Sequence, residues 1–244
     1  TRYNYNTGVD EIIDGFDGFG KISGRIFSAA VRSYFDDTEE NALTDLTYKE
    51  PQFSFIKEKM NKLQLVETII KLQELSIQKG EIGAKANYLL ANYFFNTTNA
   101  GYYRNIPYYE PGNYNIYTYY NISPEPLKEI EKLYNFNGFG YRVTPKYGFE
   151  TPFKLYLLAE ELSTNQEFKA KSVFMAAKCE VELFFLKEED TPYELSYWGK
   201  PSKLYSDFNR PMFAKLYSNY SKTKFITEVK TNCSYYRYYL AAKK

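Results

Sequence analysis

Residues that could carry acid–base chemistry in this 244-residue chain are carboxylates, lysines and tyrosines, because histidine is absent. That removes a Ser-His-Asp triad, a Cys-His dyad and any His-ligated zinc site. Two cysteines, Cys179 and Cys233, are too few for a four-sulfur metal site. Both fall on expected helices and read as buried thiols; in an oxidising compartment they become candidates to pair. Gly15, Gly20 and Lys21 imitate a phosphate-binding loop, but Ile22 lacks the hydroxyl that magnesium needs and Asp17 puts negative charge at the phosphate position. Asp10, Asp14 and Asp17 lack the alternating spacing of a calcium loop and read as turn acids. Glu160/Glu161 and Glu188/Glu189/Asp190 are adjacent acids. Neighbours on a helix diverge by about 100°, so these do not face one substrate and are expected on exposed faces. No catalytic constellation emerges. The expectation is a non-enzyme, with no cofactor, no catalytic residue and no metal ligand.

Contact chemistry is more plausible. The chain has 27 Tyr and 19 Phe against one Trp. Residues 99–123 hold eight tyrosines, two prolines and two glycines, and read as a long ordered loop. Tyrosine offers a flat apolar face and a hydroxyl, suited to protein or sugar. Tyr102, Tyr103, Tyr108 and Tyr109 are the candidate anchors, with Arg104 beside them. Net charge is +1, but residues 200–244 hold ten basic and two acidic residues, a net of +8 that leaves −7 for the rest. Lys215, Lys222 and Lys224 are the candidate steering cations of that basic end. Aromatics alternate with them at helical spacing, which argues for core rather than nucleic-acid contact.

These side chains need elements to hold them. Apolar residues at 44% and charged residues at 25% describe a globular chain with a sizeable core. No apolar run reaches the length of a membrane span. The first residue, Thr1, is followed by no signal-peptide core, so the chain reads as a mature or excised segment. Glycines at 8, 15, 18, 20 and 24 make residues 1–54 an irregular extension, with a short helix possible at 22–35. Helical periodicity then appears at 57–77, 84–96, 152–162, 167–186, 203–217 and 224–241, with a shorter helix at 124–134. In the last long stretch Phe225, Val229, Cys233, Tyr236 and Leu240 form one apolar stripe.

A repeat organises the helices. Glu74-Leu75-Ser76 matches Glu161-Leu162-Ser163 at an offset of 87, and Ala84-Lys85-Ala86 matches Ala170-Lys171-Ser172 at 86. Ala91 matches Ala177. Each copy predicts a helix, a polar turn and a helix with alanines at the contact, the antiparallel pair of a solenoid.

The stretch FAKLYSNYSKTKFITEVKTNC (213–233) resembles the passage between consecutive tetratricopeptide repeats. Phe213, Leu216, Tyr220, Thr223 and Phe225 fit that pattern, while Ser221 stands where proline is common. Leu89 to Asn96 followed by a Tyr- and Gly-rich loop, and F-M-A-A-K-C-E at 174–180, resemble a group of tetratricopeptide-like proteins. These belong to bacteria with type IX secretion and SusC/SusD-type outer-membrane uptake. The resemblance covers about 55–241. It implies an all-α, tetratricopeptide-like array at 55–244, with repeat halves about 63–98 and 151–188 and a further pair about 203–241. It further implies a cell-envelope setting, periplasmic or surface-exposed and peripheral to the outer membrane. The expected function is a protein-binding scaffold, an accessory part of an outer-membrane complex for secretion or uptake. Rival readings are a glycan- or peptide-binding surface protein loosely like the SusD group, then a carboxylate-based hydrolase. Protein partners are expected, glycan or peptide is possible, and neither nucleic acid nor a transmembrane segment is expected.

Overall fold

The computed structural model describes residues 22–29, 45–98, 148–187 and 210–243. Among the described residues the fold is all-α but for one two-stranded antiparallel pair. That pair joins β1 (Ile22–Ser23) to β2 (Lys59–Met60), with Ile22 opposite Met60 and Ser23 opposite Lys59. The helices are α1 (Lys62–Ser76), α2 (Glu81–Asn96), α3 (Glu150–Leu162), α4 (Gln166–Lys187), α5 (Pro211–Tyr220), α6 (Lys224–Asn232) and α7 (Ser234–Ala241). The chain divides into two compact units. One takes Thr1–Glu67 and Tyr93–Gly148, the other Thr68–Asn92 and Phe149–Lys244.

The first unit buries Ile26, Phe27, Tyr48, Phe53 and Met60. Residues 22–27, where a helix was expected to begin, form β1 and a 3-10 turn at Gly24–Phe27 instead. Gly24 explains this local choice. Its N–H donates to the Glu58 carbonyl at 3.0 Å, and a Cβ there would stand 2.5 Å from the Lys57 carbonyl oxygen. The strand pairing needs that closeness. A reciprocal capping box starts α1: Asn61 Oδ1 accepts from Gln64 N–H at 2.8 Å, and Gln64 Oε1 accepts from Asn61 N–H at 2.9 Å.

The second unit is built of helix pairs. A four-residue turn joins α1 to α2, and Gly80 takes a φ of 78° there, which costs glycine little. At Gly83 a Cβ would fall 1.8 Å from the Gln78 carbonyl oxygen, so only glycine lets the turn lie on the helix start. Asn87 seals the turn, donating from Nδ2 to the Ser76 and Gly83 carbonyls, both at 2.8 Å. Close packing joins α3 to α4, and α4 in turn to α5. Ala159 on α3 and Ala170, Ala176 and Ala177 on α4 are fully buried, small enough to let helices approach. With apolar positions buried around most of its circumference, α4 is the central helix of this unit.

Pro211 at the first position starts α5, which covers the later part of the helix expected at 203–217; residues 203–209 lie outside the described set. The expected single helix at 224–241 divides at Cys233, whose backbone is extended (φ −104°, ψ 107°). The Phe225-to-Leu240 stripe therefore spans two helices. Past the break, Tyr236 and Tyr239 both lie against Phe213 of α5, at 5.4 and 5.9 Å between ring centroids. Tertiary packing outweighs the local periodicity here.

Candidate functional site

Tyr102, Tyr103, Arg104, Tyr108 and Tyr109 lie outside the described residues, as do Asp10, Asp14 and Asp17, the glycine-rich 15–20 stretch, the 124–134 helix and the acids at 188–190. The three lysines of the basic end are described, and they have different settings. Lys215 on α5 pairs with Glu160 of α3 at 2.7 Å. Lys222 and Lys224 flank the α5–α6 turn with exposed side chains.

The exposed setting expected for Glu160 is corrected by the structure. Glu160 is 8% exposed, whereas Glu161 faces solvent. Its two oxygens accept from Lys215 Nζ and from the Tyr220 hydroxyl, each at 2.7 Å. Both oxygens of this buried side chain are thus met by donors, one of them cationic. Burial and the Glu160 hydrogen bond push the Tyr220 phenol well above its usual range, so its proton stays on oxygen. The trio ties α3 to α5 and offers no free acid or base.

Two further glutamates form a pattern. Glu81, in the first turn of α2, accepts at Oε1 from the Thr164 N–H at 2.6 Å and its hydroxyl at 2.9 Å, and the Ser163 hydroxyl adds a third donor at 3.0 Å. Burial pushes this carboxyl up, but these hydrogen bonds outweigh it and hold Glu81 below the ordinary range. Glu167, in the first turn of α4, accepts from the N–H groups of Lys224 and Phe225 at 2.9 and 3.0 Å. In each case the opening turn of one pair's second helix grips the turn of the next pair. The two glutamates are 86 residues apart, the offset that relates Ala84 to Ala170 and Ala91 to Ala177. Sequence reasoning passed over both, although extending the repeat by three residues finds them.

The far half of α4 carries ionisable groups. Glu180 accepts from the Met212 N–H at 3.1 Å, at the start of α5, and burial pushes its carboxyl up to about 7. Burial likewise raises Glu182 and lowers Lys178, and each opposes the other's shift. Cys179 is buried and Cys233 half-buried; both are free thiols. Burial raises both, Cys179 strongly, which leaves them protonated and poorly nucleophilic.

Two exposed surfaces stand out. Leu63, Val66, Ile70 and Ile77 follow helical spacing along and just beyond α1, and Leu63 and Ile77 are 67% and 85% exposed. Near the C-terminus Tyr217, Tyr235 and Tyr238 are exposed, and Lys243 Nζ sits 5.0 Å from the Tyr217 ring centroid. Among the described residues no three His, Cys, Asp or Glu side chains gather to hold a metal ion. No helix among them is long and apolar enough to cross a membrane. Compared with family models, curated proteins and solved structures, the chain finds no match.

Proposed function

We propose that this chain is a protein-binding scaffold built from tetratricopeptide-like helix pairs. One observation carries the reading: Glu81 and Glu167, at the repeat offset, each lock the start of one pair's second helix onto the following turn. Such a device propagates pair by pair, as a linear array requires. An array of this kind binds through shape and exposed side chains rather than through bond chemistry. The exposed apolar side chains of α1 and the exposed tyrosines near the C-terminus supply contact area of the usual recognition type. The envelope setting, in an outer-membrane complex for secretion or uptake, is supported by the resemblance at 55–241.

The test is tagged co-purification from gently solubilised native membranes, with bound proteins identified by mass spectrometry. A stoichiometric protein partner is expected. Replacing Tyr102, Tyr103, Tyr108 and Tyr109 by Ala tests the loop anchors, and Leu63→Asp with Ile70→Asp tests the α1 surface. A chain that elutes alone overturns the scaffold. Capture that survives both sets of changes removes both surfaces as its basis.

A further inference from the structure

Beyond that reading, the first compact unit contains two buried oxygen acceptors without donors among the described residues. Asp45 is 5% exposed. Its Oδ1 accepts from the Thr47 N–H at 3.1 Å and from the Thr47 hydroxyl at 2.6 Å. Its other carboxylate oxygen, Oδ2, is buried with no hydrogen-bond partner among the described residues. Asn96, the last residue of α2, is 1% exposed. Its Nδ2 donates to the carbonyls of Ile26 and Ser28, both at 2.8 Å. Two carbonyl acceptors fix the orientation of the amide, because a flip would set Oδ1 against them. Asn96 Oδ1 is then a second buried acceptor with no donor among the described residues.

Ser28 links the two residues. Its hydroxyl donates to the Asp45 carbonyl at 2.8 Å, and its own carbonyl accepts from Asn96. Leaving a carboxylate oxygen buried and unmet costs several kcal/mol, and an unmet amide oxygen adds to that cost. Asn96 is itself the last residue of α2, whose C-terminal end contributes about half a negative charge there. Acceptor oxygens, a carboxylate and the negative end of a helix dipole all favour a positive ion.

We propose that Asp45 Oδ2 and Asn96 Oδ1 are ligands of a hard-cation site of the calcium or sodium class. The two unmet oxygens suit such an ion: a carboxylate oxygen and an amide oxygen are both hard donors. A single carboxylate makes the site weak, in the range where a cation stabilises an extracellular module without acting as a sensor.

The full chain, stripped with chelator and held at constant ionic strength with choline chloride, is melted with and without added cation. About 5 mM calcium, or sodium in place of choline, raises the Tm by about 2–5 °C. The ion that produces the rise identifies the class. Asp45→Asn keeps the shape, removes the charge and abolishes the rise. If that variant does not fold, amide exchange on the wild-type chain locates the ion, with cation-dependent protection expected at residues 26–28, 45–47 and 96. No shift with either ion, a rise retained by folded Asp45→Asn, or protection confined to other residues each overturns the site.

Discussion

The hydroxyls of Tyr236 and Tyr239 end in the core of the second unit with no hydrogen-bond partner among the described residues. Their rings stack at 6.1 Å and 15°, so the aromatic bodies are well placed while the polar ends are not. Burial pushes the Tyr236 phenol up to about 12, which keeps it neutral. Removing an unmet hydroxyl costs no hydrogen bond and relieves a desolvation penalty. Tyr236→Phe is therefore expected to be neutral or to stabilise by about 1 kcal/mol, read from urea midpoints. A loss of more than about 1 kcal/mol would show that the hydroxyl has a partner. Tyr156 is the contrast. Its hydroxyl donates to Asn92 Oδ1 at 2.8 Å, and Tyr156→Phe is expected to cost about 1–2 kcal/mol in the same assay. Spacing in the sequence was enough to place Tyr236 inside. It was not enough to place Glu160, because whether an acid is buried depends on donors 55 and 60 residues further along the chain.

The helix pairs depend on a few polar ties and on glycine. Glu167→Ala leaves two N–H groups at the start of α6 without their acceptor. Expected are a loss of about 1–2 kcal/mol and faster amide exchange at Lys224 and Phe225, with α3 unchanged. Uniform acceleration across α3 and α6 would mean that the tie is not local. Gly83→Ala raises helix propensity by about 1 kcal/mol, yet its Cβ would meet the Gln78 carbonyl. The clash wins, and a net loss of about 1–3 kcal/mol is expected from chemical denaturation. Periodicity made most elements legible: α3 and α4 lie within two residues of where period-3.6 patterns put them, but α1 starts only at Lys62 because Lys59–Met60 pair as β2, and α2 starts at Glu81 with Gly83 inside it rather than before it. The division at Cys233 was not legible, since the apolar stripe runs unbroken through it. Packing of two tyrosines on Phe213 decides the geometry there, and that information sits in another helix. The 3-10 turn after β1 escaped for a similar reason, because Gly24 is held by Glu58 and not by its sequence neighbours.

At the scale of the whole molecule, glutamates with opposite shifts give stability a shape in pH. Glu81 is held below its ordinary value of 4.5, so its contribution is present above that pH and is lost as pH falls through the folded value. Glu180 behaves in reverse. Its carboxyl is raised by burial to about 7, so between 4.5 and 7 the folded chain binds more proton than the unfolded one. Stability attributable to Glu180 therefore falls as pH rises through that window. Glu182, also raised by burial, adds to the fall. The Met212 N–H favours the charged Glu180 but does not outweigh burial. Glu180→Gln keeps an acceptor for that N–H and removes the ionisation. Its urea midpoint should match wild type near pH 5 and exceed it near pH 8, flattening the profile. A difference that is the same at both pH values would mean that Glu180 does not change its ionisation across this window. The acid limb below 4.5 should survive in Glu180→Gln and weaken in Glu81→Gln, because Glu81 holds the α3–α4 turn and Glu180 the start of α5, and their shifts lie on opposite sides of the ordinary carboxylate range.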